Sequence, residues 1–156
     1  MMDFGKFLNV FCILMLIYMW VFAGISYTSL PDEIPTHFGA DGKPDAIGPR
    51  FMIFLLPALS LLIYAVMRYM STVNVAKFEN TLQDKARKNK GLTRNFVRLI
   101  TMFVFILVAD ILTESVLVAN NYSEKLSVVS SIVIFAMFAA IIFYFIYARK
   151  KVHHID

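Results

Sequence analysis

The first group of residues that could carry chemistry is His37, Asp41 and Asp45, spaced four residues apart. Histidine and carboxylate side chains suit several divalent metal ions, so a metal-dependent membrane enzyme is one interpretation. The spacing matches no specific metal motif, and the surrounding glycines and prolines argue against a helix that would align the three. Hydrogen bonding to the loop's own backbone is the favoured interpretation. We therefore predict no cofactor and no enzymatic activity.

The second group is a pair of carboxylates, Asp110 and Glu114, with Thr113 beside them. They lie four residues apart inside an apolar block, so they share one face of a helix. Carboxylates within a membrane span are costly and usually face a bundle interior, a cavity or a partner. Three interpretations stay open: a proton- or cation-linked path, an anchor for polar groups of the loop at 29–50, or an interhelical hydrogen-bond clamp. Candidate partners for the clamp are Thr28, Ser60 and Ser131.

The elements that must position these groups are helices in a lipid bilayer. Hydrophobic residues make up 59% of the 156 residues, above the roughly 45–50% of globular chains. They fall into blocks of about 20 residues, the length at which a helix crosses a bilayer core. We predict a single all-α membrane domain, a bundle of four transmembrane helices. The predicted spans are residues 7–27, 51–70, 97–118 and 128–148.

Local signals predict how these spans begin and end. Pro57, in the first two turns of the second span, predicts a bend. Residues 71–96 are predicted to form a basic loop, with an interfacial helical segment near residues 75–82. Gly91 is the residue at which helical structure in this loop is expected to end.

The distribution of lysine and arginine predicts the orientation. With four spans, both termini share a side with the 71–96 loop, and residues 29–50 and 120–125 lie opposite. Twelve of the 15 lysines and arginines fall on the first side when the loop is counted with its flanking residues, from 68 to 98. The positive-inside rule then places both termini in the cytoplasm. The same distribution explains the net charge of +4 as a signal for orientation, so we predict no nucleic-acid partner. No nucleic-acid recognition motif is present.

The polar stretch at 29–50 is expected to form an ordered extracellular cap. It holds four of the five prolines and three of the six glycines, and such residues restrict the backbone to defined turns. Asp41-Gly42 is typical of a tight turn between the strands of a short hairpin. Pro35 and Pro44 favour an arrangement without a regular ladder. The predicted partner-binding residues are Pro35, His37, Phe38, Asp41, Gly42, Asp45 and Arg50.

The same stretch resembles the signature of a known family. The residues that carry the resemblance are Leu30-Pro31-Asp32-Glu33-Ile34-Pro35-Thr36-His37-Phe38, Asp41-Gly42-Lys43-Pro44-Asp45, Gly48 and Arg50. They are similar to a bacterial membrane-domain family of unknown function. That domain also forms the N-terminal half of immunity proteins of the sporulation-delaying-protein type, where the motif likewise lies between two spans. The resemblance implies a bacterial plasma-membrane protein and carries over no catalytic residue.

Two functions follow as hypotheses. The first is a binding or accessory protein that presents the cap to an extracellular peptide, a lipid or a membrane-protein partner. Toxin immunity or envelope signalling is the role that the resemblance implies, although residues 97–156 lack the Arg-Thr-Pro-Trp-like motif of the second half of those immunity proteins. The alternative is a small proton- or cation-linked transporter or channel subunit that uses Asp110 and Glu114. A homo-oligomer is a further expectation for a protein of this size.

Overall fold

Four helices and one short hairpin make up the described chain. The structure, a computed structural model, describes residues 4–72 and 83–153, with side chains for residues 4–69, 95–144 and 146. The helices are α1 (Phe4–Ser26), α2 (Leu55–Thr72), α3 (Gln83–Ala119) and α4 (Val128–His153). Between α1 and α2 lie strand β1 (Glu33–Phe38), strand β2 (Pro44–Pro49) and a 3₁₀ helix (Arg50–Phe54). The fold is therefore mostly helical, with a two-stranded sheet inside the predicted cap.

Three helical segments are long and apolar enough to cross a membrane: Phe4–Ser26, Arg50–Tyr69 and Asn95–Ala119. A fourth apolar stretch, Val128–Tyr144 in α4, is shorter. Helices α1, α2 and α4 also carry many exposed large apolar side chains. A contiguous surface of this kind is rare on a soluble monomer and suits a lipid environment. These observations identify a membrane protein and confirm the mostly helical class.

The central helix is α3. It packs against α1, α2, α4 and β1, and every side chain from residue 95 to 119 is buried or half-buried. Its 37 residues correspond to about 56 Å of helix at 1.5 Å per residue. A bilayer core is only about 30 Å thick. The basic first turns of α3 therefore extend beyond the apolar layer, at the end of the bundle where α1 begins.

The prediction that residues 71–96 form a loop is wrong for its second half. Helix α3 begins at Gln83 and continues through Gly91, which therefore does not end a helix. The residues before Gly91 are mainly lysine, arginine, glutamine and alanine, all good helix formers, and they outweigh the cost of about 1 kcal/mol for one internal glycine. The predicted interfacial segment at 75–82 lies outside the described residues.

Pro57 lies at the beginning of α2, and the bend at this residue stays a prediction. Helix α2 starts at Leu55, so Pro57 is its third residue. A proline this close to the beginning of an α-helix is tolerated better than one in its interior. The chain changes from 3₁₀ helix to α-helix at Leu55, two residues before the proline.

The hydrophobic core joins the segment between α1 and α2 to α1 and α3. Buried positions recur every three or four residues along both helices, which is the pattern of one helical face. The loop and the 3₁₀ helix add three further buried side chains to the same cluster. The members are Cys12, Leu16, Met19 and Ala23 of α1, Leu30, Ile34 and Ile53, and Phe105, Ala109, Leu112 and Val116 of α3.

Strand pairing in the hairpin includes both prolines, so a ladder is present, although it is not a regular one. Pro35 lies opposite Ile47 and Phe38 lies opposite Pro44, with an irregularity in register around His37. Each strand of a two-stranded sheet has a free edge, where a residue without an N–H is tolerated. The hairpin thus keeps its pairing in spite of its prolines.

The tip of the hairpin is tied to the connection between α3 and α4. Gly42 has a φ of 78°, in the left-handed region that glycine adopts readily, as expected for the Asp41-Gly42 turn. The carbonyl of Gly42 accepts a hydrogen bond of 2.9 Å from the backbone N–H of Leu126. The hairpin and the α3–α4 connection therefore lie at the same end of the bundle.

Replacing Gly42 with alanine is expected to destabilise the hairpin by about 1–2 kcal/mol, because a Cβ is strained in the left-handed conformation. The measurement is the rate of proteolysis within residues 29–50 of the purified protein in detergent. Lys43→Ala is the matched control, since its side chain is exposed and its described hydrogen bonds come only from its backbone N–H and carbonyl. Equal cleavage rates for the two variants would contradict the left-handed turn conformation assigned to Gly42.

Candidate functional site

The predicted cap is fixed to the bundle by apolar residues at its base. Leu30 and Ile34 are 5% and 2% exposed, and they pack with Ile53 into the cluster formed by α1 and α3. Burying an aliphatic side chain of this size contributes about 1.5–3 kcal/mol relative to leaving it in water. The hairpin is thus an ordered part of the bundle, as expected for a cap.

Arg50 holds the base of the hairpin to the end of α1. Its backbone N–H donates to the carbonyl of Asp32 at 2.9 Å, and its Nη1 lies 3.9 Å from Asp32 Oδ1. Its Cζ lies 5.2 Å from the centre of the Tyr27 ring, within the range of a cation–π contact. Because both charged side chains are exposed, their ion pair contributes at most about 1 kcal/mol. These contacts give Arg50 a structural role at the base of the hairpin.

His37 and Asp45 form a pair on the surface of the hairpin. His37 Nδ1 lies 2.5 Å from Asp45 Oδ1. An ionised carboxylate only accepts hydrogen bonds, so the imidazole donates from Nδ1. The two side chains are 70% and 51% exposed, and exposed pairs of this kind stabilise a fold by at most about 1 kcal/mol. The pair is therefore available to a partner on an ordered support.

Asp41 does not join this pair. Its Oδ1 accepts a hydrogen bond of 3.0 Å from the backbone N–H of Lys43, which is the local backbone bonding favoured above for the loop. No group of three His, Cys, Asp or Glu residues within the described chain is arranged to hold a metal ion. The structure thus brings together two of the three predicted candidates and places the third in the turn.

A cavity of about 270 Å³ lies beneath the hairpin, between β1, the start of α2 and α3. Two predicted residues, Pro35 and Phe38, form part of its wall. The lining is mostly apolar, and the hydroxyl of Ser115 already donates to the Ile111 carbonyl at 2.8 Å. The cavity therefore suits an apolar group. It is lined by Ile34, Pro35, Thr36 and Phe38 of β1, by Met52, Ile53, Leu55 and Leu56, and by Ile111, Leu112 and Ser115.

Gly48 allows the walls of this cavity to approach each other. A Cβ at this position would lie 2.8 Å from Met52 Sδ and 3.0 Å from Thr36 Cγ2. Contacts this short require the neighbours to move, and both neighbours line the cavity. The glycine is therefore needed for close packing of β2 against the wall.

Asp110 contacts α4 and is not among the residues that line the hairpin cavity. The Ser130 hydroxyl donates a hydrogen bond to Asp110 Oδ2. Ser130 lies in the first turn of α4, which begins after Ser127, whose Oγ accepts from the Val129 N–H at 3.3 Å. The positive end of the helix dipole favours a carboxylate at this place. Asp110 thus joins α3 to the beginning of α4, in the manner of the predicted interhelical clamp.

The serine in this clamp was not among the predicted candidates. Ser131, the neighbour of Ser130, is exposed, because successive residues of a helix point about 100° apart. Thr28 donates instead to the Ile25 carbonyl, and Ser60 donates to the sulfur of Met19.

Glu114 and Thr113 have different surroundings. Glu114 shares the helical face of Asp110, and no hydrogen bond of its carboxylate occurs within the described chain. The Thr113 hydroxyl donates to the Ala109 carbonyl at 2.8 Å. It therefore accepts its second hydrogen bond, also 2.8 Å, from the Tyr18 hydroxyl. Among the described residues, no hydrogen bond or ion pair connects either carboxylate to the hairpin.

Sequence reasoning missed the cavity and the residues that anchor the cap. The sequence does contain a signal for the anchoring residues, since Leu30 and Ile34 are apolar residues four apart in a polar stretch. The cavity had none, because it exists only where three separate elements meet. Met52 and Ile111 are ordinary apolar residues within their helices.

Comparison with known proteins finds a family match for part of the chain. Residues 14–61 match the model of a family described as a domain of unknown function (DUF1648). An uncharacterized protein of Archaeoglobus fulgidus is 39% identical over 57 residues, which cover 36% of this chain and 31% of that protein. No solved structure matches the chain. The family match confirms a domain of unknown function that includes the hairpin, and the chain aligns with less than a third of the curated relative.

The hydrogen bond between Asp110 and Ser130 is expected to couple α3 and α4 energetically. A double-mutant cycle of Asp110→Ala and Ser130→Ala should give a coupling energy of about 0.6–1.7 kcal/mol, as for other interhelical hydrogen bonds in membranes. The measurement is reversible unfolding in mixed detergent micelles. The matched control cycle pairs Glu114→Ala with Ser130→Ala and should give a coupling near zero. Equal coupling in the two cycles would refute the clamp.

Proposed function

We propose that this protein is a non-enzymatic binding or accessory protein that presents the β1–β2 hairpin to a partner outside the cell. The observation that carries the proposal is the exposed His37–Asp45 pair on a hairpin whose base is buried. A surface that is already ordered loses little conformational entropy when it binds. A hydrogen-bonded pair with defined geometry also restricts the orientation in which a partner can bind.

The outward orientation of the hairpin is supported by charge. We propose four transmembrane helices with both termini in the cytoplasm of a bacterial cell. The hairpin region and the α3–α4 connection lie at the same end of the bundle, tied by the bond between Gly42 and Leu126. These two segments contain only three of the 15 lysines and arginines, namely Lys43, Arg50 and Lys125. The positive-inside rule favours the outer face for an end of this composition.

The proposed partner is an extracellular peptide or an exposed segment of a membrane protein. Its polar group would meet His37 and Asp45, and an apolar side chain would enter the cavity lined by Pro35 and Phe38. The resemblance to immunity proteins of the sporulation-delaying type supports recognition of a secreted toxin peptide, or signalling from the envelope, as the biological role. Homo-oligomerisation stays a prediction alongside this role.

The combined substitution of His37→Ala and Asp45→Ala tests this function. A photo-crosslinking amino acid at Ala46, an exposed residue opposite His37 in the hairpin, is expected to give a defined adduct in intact cells. The adduct should disappear in the double variant while expression is unchanged, because the exposed pair contributes at most about 1 kcal/mol to stability. The readout is the adduct band and its mass-spectrometric identification.

Lys43→Ala is the matched control, because it changes an exposed charge on the same hairpin and should keep the adduct. An adduct of unchanged yield in the His37→Ala, Asp45→Ala variant would refute the proposed surface. Loss of the adduct in Lys43→Ala as well would indicate general charge attraction instead of a specific contact.

A small proton- or cation-linked transporter or channel subunit is the second candidate. It is favoured by the presence of Asp110 and Glu114 in a helix long and apolar enough to span a membrane. Two observations argue against this candidate. Asp110 already accepts a hydrogen bond from Ser130, and neither carboxylate lines the cavity beneath the hairpin. If transport is the function, Asp110→Asn and Glu114→Gln should each abolish ion flux in proteoliposomes. Flux equal to that of the wild type in both variants excludes this candidate.

A further inference from the structure

The end of the bundle opposite the hairpin contains an arginine in an unusual position. Arg98 lies near the beginning of the apolar segment Asn95–Ala119, and its side chain is half-buried. Its guanidinium packs against Gly5 of α1, where an added Cβ would lie 2.2 Å from Nη1. Within the described chain, the Arg98 guanidinium makes no ion pair with a carboxylate. A cation at the edge of an apolar layer favours an anionic partner.

A crevice beside Arg98 provides further polar groups. Arg68 of α2 lines the same crevice. So do Tyr64 and Asn9, and the Tyr64 hydroxyl donates to Asn9 Oδ1 at 3.1 Å. The enclosed volume is about 20 Å³, room for about one water-sized group. Two arginines line this recess, whose size suits one oxygen of a larger anion, and arginine is well matched to phosphate.

An apolar hollow lies close to this crevice. It has a volume of about 300 Å³ and lies between the beginning of α1, α3 and α4. Asn95 lines the hollow, and its Oδ1 lies near Arg98 Nη1, because both atoms approach the same position beside Gly5. Phe96, stacked on Tyr144 with ring centres 3.7 Å apart, forms part of the wall. A hollow with this lining suits a hydrocarbon chain.

We propose that this end of the bundle binds one anionic phospholipid. Its phosphate lies at Arg98 and Arg68, and one acyl chain occupies the hollow next to Asn95. The closeness of the two spaces favours a lipid over a free phosphate ion, which would leave the hollow empty. In the orientation proposed above, the lipid belongs to the cytoplasmic leaflet, where anionic lipids are concentrated. The site is separate from the hairpin and independent of its proposed partner.

The test measures lipid binding to the purified full-length protein in neutral detergent micelles. Phosphatidylglycerol is the probe, phosphatidylcholine is the neutral lipid, and native mass spectrometry gives the bound fraction. Arg98→Gln is expected to weaken phosphatidylglycerol binding about fivefold, the effect of one cation near an anionic headgroup. Lys125→Gln, which removes one exposed cation at the far end of α3, is the matched control and should bind like the wild type.

Two further measurements decide between the remaining outcomes. Ala140→Trp fills the hollow without changing charge and should also weaken phosphatidylglycerol binding, which keeps the proposal testable if Arg98→Gln does not fold. Inorganic phosphate at millimolar concentration should not displace the lipid. Equal binding of phosphatidylglycerol by the wild type and both variants would overturn the site. Equal affinity for phosphatidylcholine, or displacement by inorganic phosphate, would overturn the assignment of an anionic phospholipid.

Discussion

The packing of Ile34 and Leu30 between α1 and α3 is the contact on which the hairpin end of the molecule depends. Helices in a bilayer gain little from hydrophobic burial against each other, because lipid is equally apolar. A hairpin outside the apolar layer does gain from it, because its alternative is water. The two buried side chains therefore hold the base of the hairpin. Arg50 at the base and the Gly42–Leu126 bond at the tip then fix its direction.

Helix α3 connects the hairpin end to the other polar features. One face supplies Phe105, Leu112 and other members of the core, and another places Asp110 against the beginning of α4. Near its cytoplasmic end, in the proposed orientation, Arg98 meets the first turns of α1. Asp110 and Arg98 thus each lie where α3 contacts another helix. This arrangement gives both charged groups a place between helices, where their cost is lowest.

Much of this could be predicted from the sequence, because the strongest signals are local. Apolar blocks of span length predicted the helices, and Asp41-Gly42 predicted the turn. The errors arose where context outweighed a local rule: Gly91 lies inside α3 because its neighbours favour helix. The clamp partner is Ser130, not Ser131, because helical phase depends on how α4 packs. The cavity beneath the hairpin required the packing of three elements and had no signal in any one of them.

The region that matches the family model does not form a complete hydrophobic core by itself in this chain. Residues 14–61 contain most of α1, the hairpin and the start of α2. Yet Ile34 is buried against a core that also needs Phe105 and Leu112 of α3, and the cavity needs Ile111. The part of the chain beyond the match therefore completes the support for the hairpin. Since α3 also forms one wall of the cavity, the chemistry that the cavity accepts is set partly by residues outside the matched region.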